Sequence, residues 1–368
     1  MKIAIPCAGL DHVNRGFESF ARELFENVRD RCDAHLIKSS GTGGGNIHVL
    51  PGLRRNAALY RWLPSSYFNE YRRYRNECLL FGLQFLRLAA REKFDVVHFS
   101  DSVFGDFLLR ARKVFGLKFK LLCSNGAPWP VEFCARFDAV HQVSAAHHEE
   151  GRRLLDGKSF LVPYGIDGTR LRRPADFDRA AVRKKYGVPD DAFLVLSLAA
   201  LNLTHKRHDW LIGEFAKLTD GKFHLLIAGA REGETPEVER IAAATLPQNR
   251  FRILQLSYDE IPALLWASDA LVLCSLEEGF GRVLAEAMGA GVPLLVHPHG
   301  TARWLVASGE SFVDMTAPGA LANAIRDLAS QPERRKRIAT ENAPAFKRFE
   351  WPSLVPKYLS MYEAVMKL

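Results

Sequence analysis

Residues 275–288 of this chain read Ser275-Leu276-Glu277-Glu278-Gly279-Phe280-Gly281-Arg282-Val283-Leu284-Ala285-Glu286-Ala287-Met288. Two carboxylates, Glu278 and Glu286, stand eight residues apart, and a Gly-Phe-Gly turn follows the first. Apolar side chains at positions 280, 283, 284, 287 and 288 repeat with the spacing of one helix face. The stretch therefore predicts a tight turn followed by an amphipathic helix that carries Glu286.

The start of this predicted helix is suited to a ligand that carries phosphate. Gly279 and Gly281 lack a Cβ, so a ligand can approach the backbone there. A helix start offers unpaired N–H groups and the positive end of a dipole, and the N–H groups from Phe280 to Arg282 lie at that point. Carboxylates only accept hydrogen bonds, so the two glutamates suit the hydroxyls of a ribose or a sugar.

The turn and the helix together resemble the E-x7-E signature of the retaining, GT-B-type glycosyltransferases of family four. E-x7-E alone occurs by chance in most proteins. The longer string is far more specific, because Ser-x-x-Glu-Gly-Phe-Gly is followed by Leu-x-Glu-Ala and then by Gly291-Val292-Pro293. The resemblance implies an α/β fold of the GT-B class, with two Rossmann-like domains facing across a cleft and a C-terminal helix crossing back to the first domain.

The composition is that of a globular protein of about two domains, with 368 residues, 48% hydrophobic and 25% charged. No apolar run approaches the roughly 18–20 residues that span a bilayer. Residues 2–6 are interpreted as a strand and not as a signal peptide. The six cysteines have no C-x-x-C spacing, so neither a zinc site nor a disulfide framework is predicted, and a reducing cytoplasm is the expected location.

The formal net charge of +8 indicates anionic partners. Much of this charge lies in residues 54–75, where arginines alternate with tyrosines, Trp62 and Phe68. Such a segment suits an anionic acceptor or a peripheral contact with the inner face of a membrane. The alternative is a solvated helix face whose aromatic rings enter the core. Nucleic-acid binding is not predicted, because no binding motif accompanies the charge.

Short apolar strands alternate with helical patterns along the chain, which predicts parallel sheets. The predicted strands are residues 2–6, 34–38, 96–99, 120–123, 139–143, 193–198, 224–228, 252–256, 270–274 and 294–297. A helix with apolar positions from Phe17 to Val28 follows the first strand. The glycine-rich run 41–46 precedes a strand-like segment and is interpreted as a flexible loop, not as a dinucleotide site.

Residues 160–167 mark the expected boundary between the domains. They resemble the family stretch Val-Ile-Pro-Asn-Gly-Val-Asp, with Tyr164 in place of the asparagine. The resemblance implies an acceptor-side domain over residues 1–165 and a nucleotide-sugar-binding domain over residues 166–350. It further implies a helix over residues 351–368 that packs on the first domain.

Residues 198–207 occupy the place of the family's Gly-Arg-Leu…Lys-Gly stretch, whose arginine and lysine hold the phosphates of the donor. Lys206 matches the lysine, but Ala200 stands near the arginine's place, and Arg207 and Arg282 are its candidate replacements. The resemblance implies that Glu286 binds the ribose and Glu278 a hydroxyl of the donor sugar.

In the same way, the family places residues 253–258, including Leu254 and Tyr258, beside the base. Positive charge at a departing diphosphate is a large catalytic contribution. We recognise no Asp-x-Asp metal motif, so the sequence predicts a metal-independent reaction without a cofactor.

In the first half, Asn14-Arg15-Gly16-Phe17-Glu18 resembles the Gly-Gly-x-Glu loop of the family, and Gly16 would let the backbone approach phosphate. His98 matches a family histidine at a strand end, and Asn125 stands where the family often has another histidine. With Lys206 and Glu278, these two residues complete the catalytic candidates. For His98 a structural role remains the alternative.

The leading functional hypothesis is therefore a retaining glycosyltransferase that uses a nucleoside-diphosphate sugar of the UDP or GDP type. Its acceptor would be a glycan, a lipid-linked sugar or a small natural product. Two alternatives stay open. One is a GT-B nucleotide-sugar epimerase or phosphorylase, and the other is a sugar-nucleotide-binding protein without turnover, motivated by the absent arginine and histidine.

Overall fold

The structure of the protein is a computed structural model that describes residues 1–13, 16–63, 67, 69–127 and 129–368. Asn14, Arg15 and Phe68, which enter the sequence predictions, lie outside the described residues, as does the side chain of Arg61. The chain divides into two compact units. The first comprises Met1–Gly165 and Trp351–Leu368, and the second comprises Ile166–Glu350.

Parallel strands and helices alternate along both units. The strands are β1 Lys2–Cys7, β2 Asp33–Lys38, β3 Ile47–Val49, β4 Val96–Phe99, β5 Lys120–Asn125, β6 Ala139–Gln142, β7 Ser159–Leu161, β8 Phe193–Leu198, β9 Phe223–Ala228, β10 Phe251–Leu254, β11 Ala270–Leu273 and β12 Leu294–Val296. The helices are α1 Gly16–Val28, α2 Glu70–Glu92, α3 Ser102–Val114, α4 Val131–Cys134, α5 Ala145–Gly151, α6 Arg179–Lys185, α7 His208–Ala216, α8 Thr235–Thr245, α9 Ile261–Ala267, α10 Arg282–Gly289, α11 Gly300–Leu305, α12 Ala320–Ser330, α13 Pro332–Phe346 and α14 Trp351–Lys367. This alternation confirms the predicted α/β class.

Each unit is built on one parallel sheet. The first sheet has the order β3-β2-β1-β4-β5-β6-β7, and the second has the order β10-β9-β8-β11-β12. In both, the chain winds outward from a central pair of strands, which is β1 and β4 in the first sheet and β8 and β11 in the second. The loops that leave such a pair diverge and leave an open crevice at the carboxyl ends of the strands.

The strands form because their sequences are apolar without interruption. All six residues of β8 are buried, as expected for a parallel strand covered by helices on both faces. The structure extends β5 by two residues, to Asn125, and ends β10 two residues earlier than predicted, at Leu254. It also adds the short edge strand β7, which the sequence patterns did not predict because only three residues pair.

Helix α10 begins later than the apolar pattern predicts. It starts at Arg282, and Gly281 precedes it with a φ of 75°, a left-handed conformation that favours glycine. Phe280 therefore lies outside the helix, where it packs edge-on against Phe349 at 5.6 Å between ring centroids. The prediction that Phe280 belongs to the helix face was wrong, because the turn redirects its buried side chain.

Helix α14 packs within the first unit through buried polar contacts. The indole of Trp351 donates to Glu23 at 2.7 Å, and the Tyr358 hydroxyl donates to the carbonyl of Pro163 at 2.8 Å. Gly165 is required where the chain passes the tryptophan, because a Cβ there would lie 2.3 Å from the indole ring. The terminal helix is thus anchored at its start and along its length.

The basic, aromatic segment contains both exposed and buried rings. Tyr60 is buried, whereas Trp62 is 86% exposed, and Tyr67 and Tyr71 are exposed as well. The guanidinium of Arg72 lies over the ring of Tyr67, 4.5 Å from its centroid. Among the described residues, every helix is too short or too polar to cross a membrane.

A buried histidine pair connects β4 and β6 to α14. The Val162 carbonyl accepts from Nε2 of His141 at 2.7 Å, so Nδ1 of His141 is the acceptor for Nε2–H of His98 at 3.0 Å. Nδ1 of His98 then accepts from the Tyr362 hydroxyl at 2.9 Å. This pattern requires the His141 ring to be neutral, because a proton on its Nδ1 would face the Nε2–H of His98.

Acidification should therefore destabilise the protein. Burial lowers the pKa of His141 to about 4, whereas a histidine in the unfolded chain has a pKa near 6.5. Between these values the unfolded state binds a proton that the folded state does not. Stability present above pH 6.5 is lost as the pH falls toward 4, by about 1.4 kcal/mol per pH unit for this group. Urea unfolding at several pH values measures the slope.

The variant His141→Gln supplies the matched control, since its amide can still donate to Val162 but does not titrate. Its unfolding free energy should depend less on pH between 6.5 and 4.5 than that of the wild-type protein. Equal slopes for the two proteins would exclude His141 as the titrating group.

Candidate functional site

Lys206 and Glu278 meet at the carboxyl end of the second sheet. Lys206 lies on the loop after β8 and Glu278 on the loop after β11, and these strands are the central pair of the sheet. The Lys206 ammonium donates to Oε1 of Glu278 at 2.5 Å. Two residues that are 72 positions apart in the chain thus form one ion pair where the topology favours ligand binding.

This ion pair is largely enclosed. The Lys206 side chain is only 15% exposed and that of Glu278 only 6%. Burial raises the pKa of Glu278, but the charges of Lys206 and His205 and the hydrogen bond from Lys206 outweigh it, so this pKa lies below its ordinary value. Glu278 is therefore a carboxylate at neutral pH.

Asn202 shapes the loop that presents Lys206. Its Oδ1 accepts from the backbone N–H groups of Lys206 at 2.7 Å and His205 at 3.2 Å, and its Nδ2 donates to Glu232 at 2.9 Å. Sequence analysis missed this residue. The available signal was an asparagine a few residues before the lysine in a loop, since asparagine commonly bonds to backbone N–H groups that follow it.

The loop after β8, which carries Lys206, closely approaches the loop after β9. A Cβ on Gly229, which follows β9, would lie 1.8 Å from the carbonyl oxygen of Ala199, which follows β8. Only glycine permits this approach, and it holds the loop after β8 against its neighbour. Ala200, the residue near the missing arginine, lies directly in this contact region.

Arg282, Glu286 and Tyr258 lie together at the start of α10. Arg282 and Glu286 are both buried and lie one helical turn apart, with a guanidinium nitrogen 3.7 Å from Oε1 of Glu286. The same nitrogen of Arg282 lies 3.5 Å from the Tyr258 hydroxyl. The ring of Tyr258 also stacks beneath Arg170, 3.7 Å from its guanidinium carbon. The structure therefore groups three of the predicted donor-site residues.

The remaining donor-site candidates occupy less distinctive positions. Leu254 ends β10, is half-buried and accepts at its carbonyl from Gly229 N–H at 3.0 Å. Gly279 lies in a buried bend between Glu278 and Phe280. Arg207 has a φ of 53° and donates to the carbonyl of Met315 at 2.8 Å. Its guanidinium is thus committed to backbone, which favours a structural role over phosphate binding.

The catalytic candidates of the first unit are held by buried partners. Both ring nitrogens of His98 are hydrogen-bonded, as described above, and burial together with the charge of His141 lowers its pKa. Asn125 ends β5, where it donates to Gln142 at 3.0 Å and accepts from Trp129 N–H at 3.1 Å. These contacts give both residues a structural role. Gly16 is exposed as the first residue of α1.

Among the described residues, no group of three or more His, Cys, Asp or Glu side chains is arranged to hold a metal ion. The sequence expectation that Asp-x-Asp is absent requires correction, because Asp176-Phe177-Asp178 has this spacing. Asp178, however, accepts from Ala181 N–H at 2.9 Å and caps α6, and Asp176 is exposed. Asp178 therefore has a structural role as the N-cap of α6.

Comparison with known families and proteins places this geometry in context. Residues 178–344 match the family model described as Glycosyl transferases group 1. D-inositol 3-phosphate glycosyltransferase of Streptomyces avermitilis is 30% identical over 234 residues, which cover 60% of this chain and 49% of that protein. The enzyme of the same name from Geodermatophilus obscurus is 29% identical over 235 residues, 59% of this chain and 51% of the relative. The chain spans about half the length of these curated relatives.

Solved structures match the entire fold. Anabaena Alr3699/HepE in complex with UDP-glucose has a TM-score of 0.77 and 20% identity, with 100% of both chains covered. Sucrose-phosphate synthase (tll1590) from Thermosynechococcus elongatus has a TM-score of 0.79 and 18% identity, covering 99% of this chain and 98% of that chain. At these identities the likeness shows the fold, and it confirms the predicted GT-B class.

A double-mutant cycle should measure the energy of the ion pair. Lys206→Met leaves the Glu278 carboxylate buried without its cation, so we expect a loss of about 3 kcal/mol in the unfolding free energy. Adding Glu278→Gln removes the uncompensated charge and should restore part of that loss. Urea unfolding of the wild type, both single variants and the double variant gives a coupling energy of about 1–3 kcal/mol. Additive single effects would contradict the pairing.

Proposed function

We propose that this protein, whose residues 178–344 match the family model of the glycosyl transferases group 1, is a retaining, metal-independent glycosyltransferase. It would move a sugar from a nucleoside-diphosphate sugar to an acceptor hydroxyl. The observation that carries the proposal is the Lys206–Glu278 ion pair, which joins the two central loops of the second sheet beside the start of α10.

Binding of the donor diphosphate would use fixed positive charge. The start of α10 presents backbone N–H groups and the positive end of the helix dipole, and the Lys206 ammonium lies on the facing loop. When the nucleoside diphosphate departs, negative charge develops on its terminal phosphate. Preorganised donors stabilise such charge at little reorganisation cost, which is why no metal ion is required in this scheme.

The two glutamates would recognise different parts of the donor. Glu286 is assigned to the ribose hydroxyls and Glu278 to a hydroxyl of the transferred sugar. Glu278 accepts from Lys206 through Oε1, and a carboxylate has further lone pairs on its second oxygen. One side chain can therefore hold the lysine and accept from a sugar at the same time.

Arg282 is the better candidate to replace the absent family arginine. It is buried at the first position of α10, near Glu286 and Tyr258, whereas Arg207 donates to a backbone carbonyl. Leu254 and Tyr258 would flank the base. A uridine or guanosine diphosphate donor is proposed, and UDP is favoured because the structural neighbour Alr3699/HepE is described with UDP-glucose.

The acceptor would be bound by the first unit and would be a glycan, a lipid-linked sugar or a small molecule. Exposed rings at Trp62, Tyr67 and Tyr71 beside arginines support a peripheral contact with an anionic membrane or an anionic acceptor. All six cysteines are free thiols, which supports a cytoplasmic site of action.

A second candidate function is sugar-nucleotide binding without turnover. It is favoured by Ala200 at the place of the family arginine and by the structural contacts of His98 and Asn125. Incubation with a panel of nucleotide sugars separates the two functions. Release of nucleoside diphosphate, by transfer or by hydrolysis, supports the enzyme, and tight binding with no release supports the binding protein.

Binding of the bare nucleoside diphosphate and of the intact donor should distinguish the roles of Glu286 and Glu278. Nucleoside diphosphates are first screened by thermal shift, since a ligand of the folded state raises its Tm. Glu286→Ala should then weaken binding of the bare diphosphate about tenfold or more. Glu278→Ala should leave diphosphate binding nearly intact but weaken binding of the intact donor by a similar factor. The reason is that a carboxylate affects only a ligand carrying the hydroxyl it accepts from.

Isothermal titration of both ligands into both variants decides between the assignments. Glu237→Ala, a change at an exposed glutamate on α8, controls for the loss of one negative charge. Equal losses for both ligands in both glutamate variants would mean that the assigned roles are wrong and that the glutamates are a structural pair.

Turnover should depend on Lys206 and not on a divalent ion. Lys206→Met should lower kcat about 100-fold, the effect of about 3 kcal/mol lost at a developing charge. Assays run well below the Tm of the variant, with exposed Lys336→Met as the control. Wild-type activity should survive EDTA. Strict dependence on added divalent ion would reject the metal-free scheme, and unchanged turnover in Lys206→Met would remove that residue from the site.

A further inference from the structure

The first unit contains a cavity of about 580 Å³ that the proposed transfer reaction does not use. It lies where the chain enters β4 and β5, and its walls come from the ends of α2 and α14 and from the loop between α3 and β5. All strands of a parallel sheet start at the same end of the sheet. The cavity lies at this amino end of the strands, whereas Gly16 and the loop after β1 lie at the carboxyl end. We call it the lysine cavity.

Three lysines and an apolar floor line the lysine cavity. Lys93, Lys118 and Lys120 are exposed or half-buried, and none of them forms an ion pair within the part of the chain that the structure describes. Phe94 and Phe119 also line the cavity, and their side chains are buried. The lining carboxylate, Asp95, already accepts from the backbone N–H of Lys2 at 2.7 Å. The cavity therefore carries a net positive charge beside apolar surface.

Compensation of a helix dipole accounts for Lys93, the C-cap residue of α2, but not for Lys118 and Lys120. Cations are favoured at helix C-termini, and the last turns of α2 and α3 already contain Arg91, Arg112 and Lys113. Lys118 and Lys120 lie after the end of α3 and belong to the loop and to β5. Bringing three like charges to one concave surface costs free energy through repulsion, which a bound anion would relieve.

The rim of the lysine cavity also exposes apolar side chains. Val114 is 78% exposed and Phe115 is 65% exposed, immediately before Gly116 and Leu117, which line the cavity. Met366, on the last turn of α14, lines it from the other side and is itself partly exposed. Exposed apolar groups adjoining a charged pocket are typical of a binding surface.

We propose that the lysine cavity binds an amphipathic anion, that is, a phosphate or carboxylate joined to an apolar chain. The volume is within the range of small-molecule sites, about 300–1,000 Å³. The anionic head would pair with the three lysines, and the apolar part would cover the exposed side chains of the rim, which are Val114, Phe115 and Met366. This inference does not depend on the proposed transfer reaction, because no donor-site residue takes part.

Octyl phosphate is the test ligand, used below its micelle concentration and measured by isothermal titration. Inorganic phosphate lacks the apolar chain and octyl glucoside lacks the charge, so both should bind at least about tenfold more weakly. The triple variant Lys93→Gln, Lys118→Gln, Lys120→Gln should lose at least about tenfold in affinity for octyl phosphate. Ala90→Phe, which fills the cavity from an exposed wall position, should lose a similar factor.

The control triple Lys158→Gln, Lys184→Gln, Lys357→Gln removes the same charge from exposed positions elsewhere and should bind like wild type. Vesicles of phosphatidylglycerol in phosphatidylcholine distinguish the source of the anion. Vesicle binding that is lost only in the cavity triple identifies a lipid head group, whereas binding of octyl phosphate together with no vesicle binding identifies a free amphipathic anion. Equal losses in both triples, equal binding of octyl glucoside, or no binding of either anionic probe would overturn the proposal.

Discussion

The ion pair between Lys206 and Glu278 joins the loops that leave β8 and β11, the two central strands of the second sheet. A buried carboxylate is costly unless a cation or hydrogen-bond donors compensate it. The loop after β8 must therefore deliver its ammonium to one position, and Asn202 achieves this by accepting from two successive backbone N–H groups. The geometry of the candidate site depends on this pairing, because Glu278 directly precedes the turn into α10.

Helix α10 combines two properties that would otherwise need separate elements. Its first turn offers the positive end of a dipole, and its second turn carries Glu286 near Arg282. The left-handed Gly281 starts the helix abruptly and sends Phe280 into the core. Because Phe280 packs against Phe349, the turn is anchored in the same unit that carries the ion pair. A rigid support of this kind suits preorganised recognition of charge.

Buried polar side chains of the first unit hold segments of the chain in place. His98 connects β4 to α14 through Tyr362, and Asn125 holds the start of the loop that follows β5. Neutral histidines suit this work because one nitrogen donates while the other accepts. The resemblance placed both residues among the catalytic candidates from their positions at strand ends. Their hydrogen bonds favour structural roles.

The family resemblance, and not local sequence, suggested Lys206 and Glu286 as site residues. Local sequence determined the α/β class, nearly all of the strands and the turn after Glu278. These features depend on unbroken apolar runs, on helical spacing and on glycines, which act over a few neighbouring residues. Only the tertiary structure decided that Lys206 pairs with Glu278 and that Arg207 turns to the carbonyl of Met315. Such partners are 72 and 108 positions apart, and the order of strands in the sheet brings them together. Side-chain periodicity contains no information on which strands become neighbours.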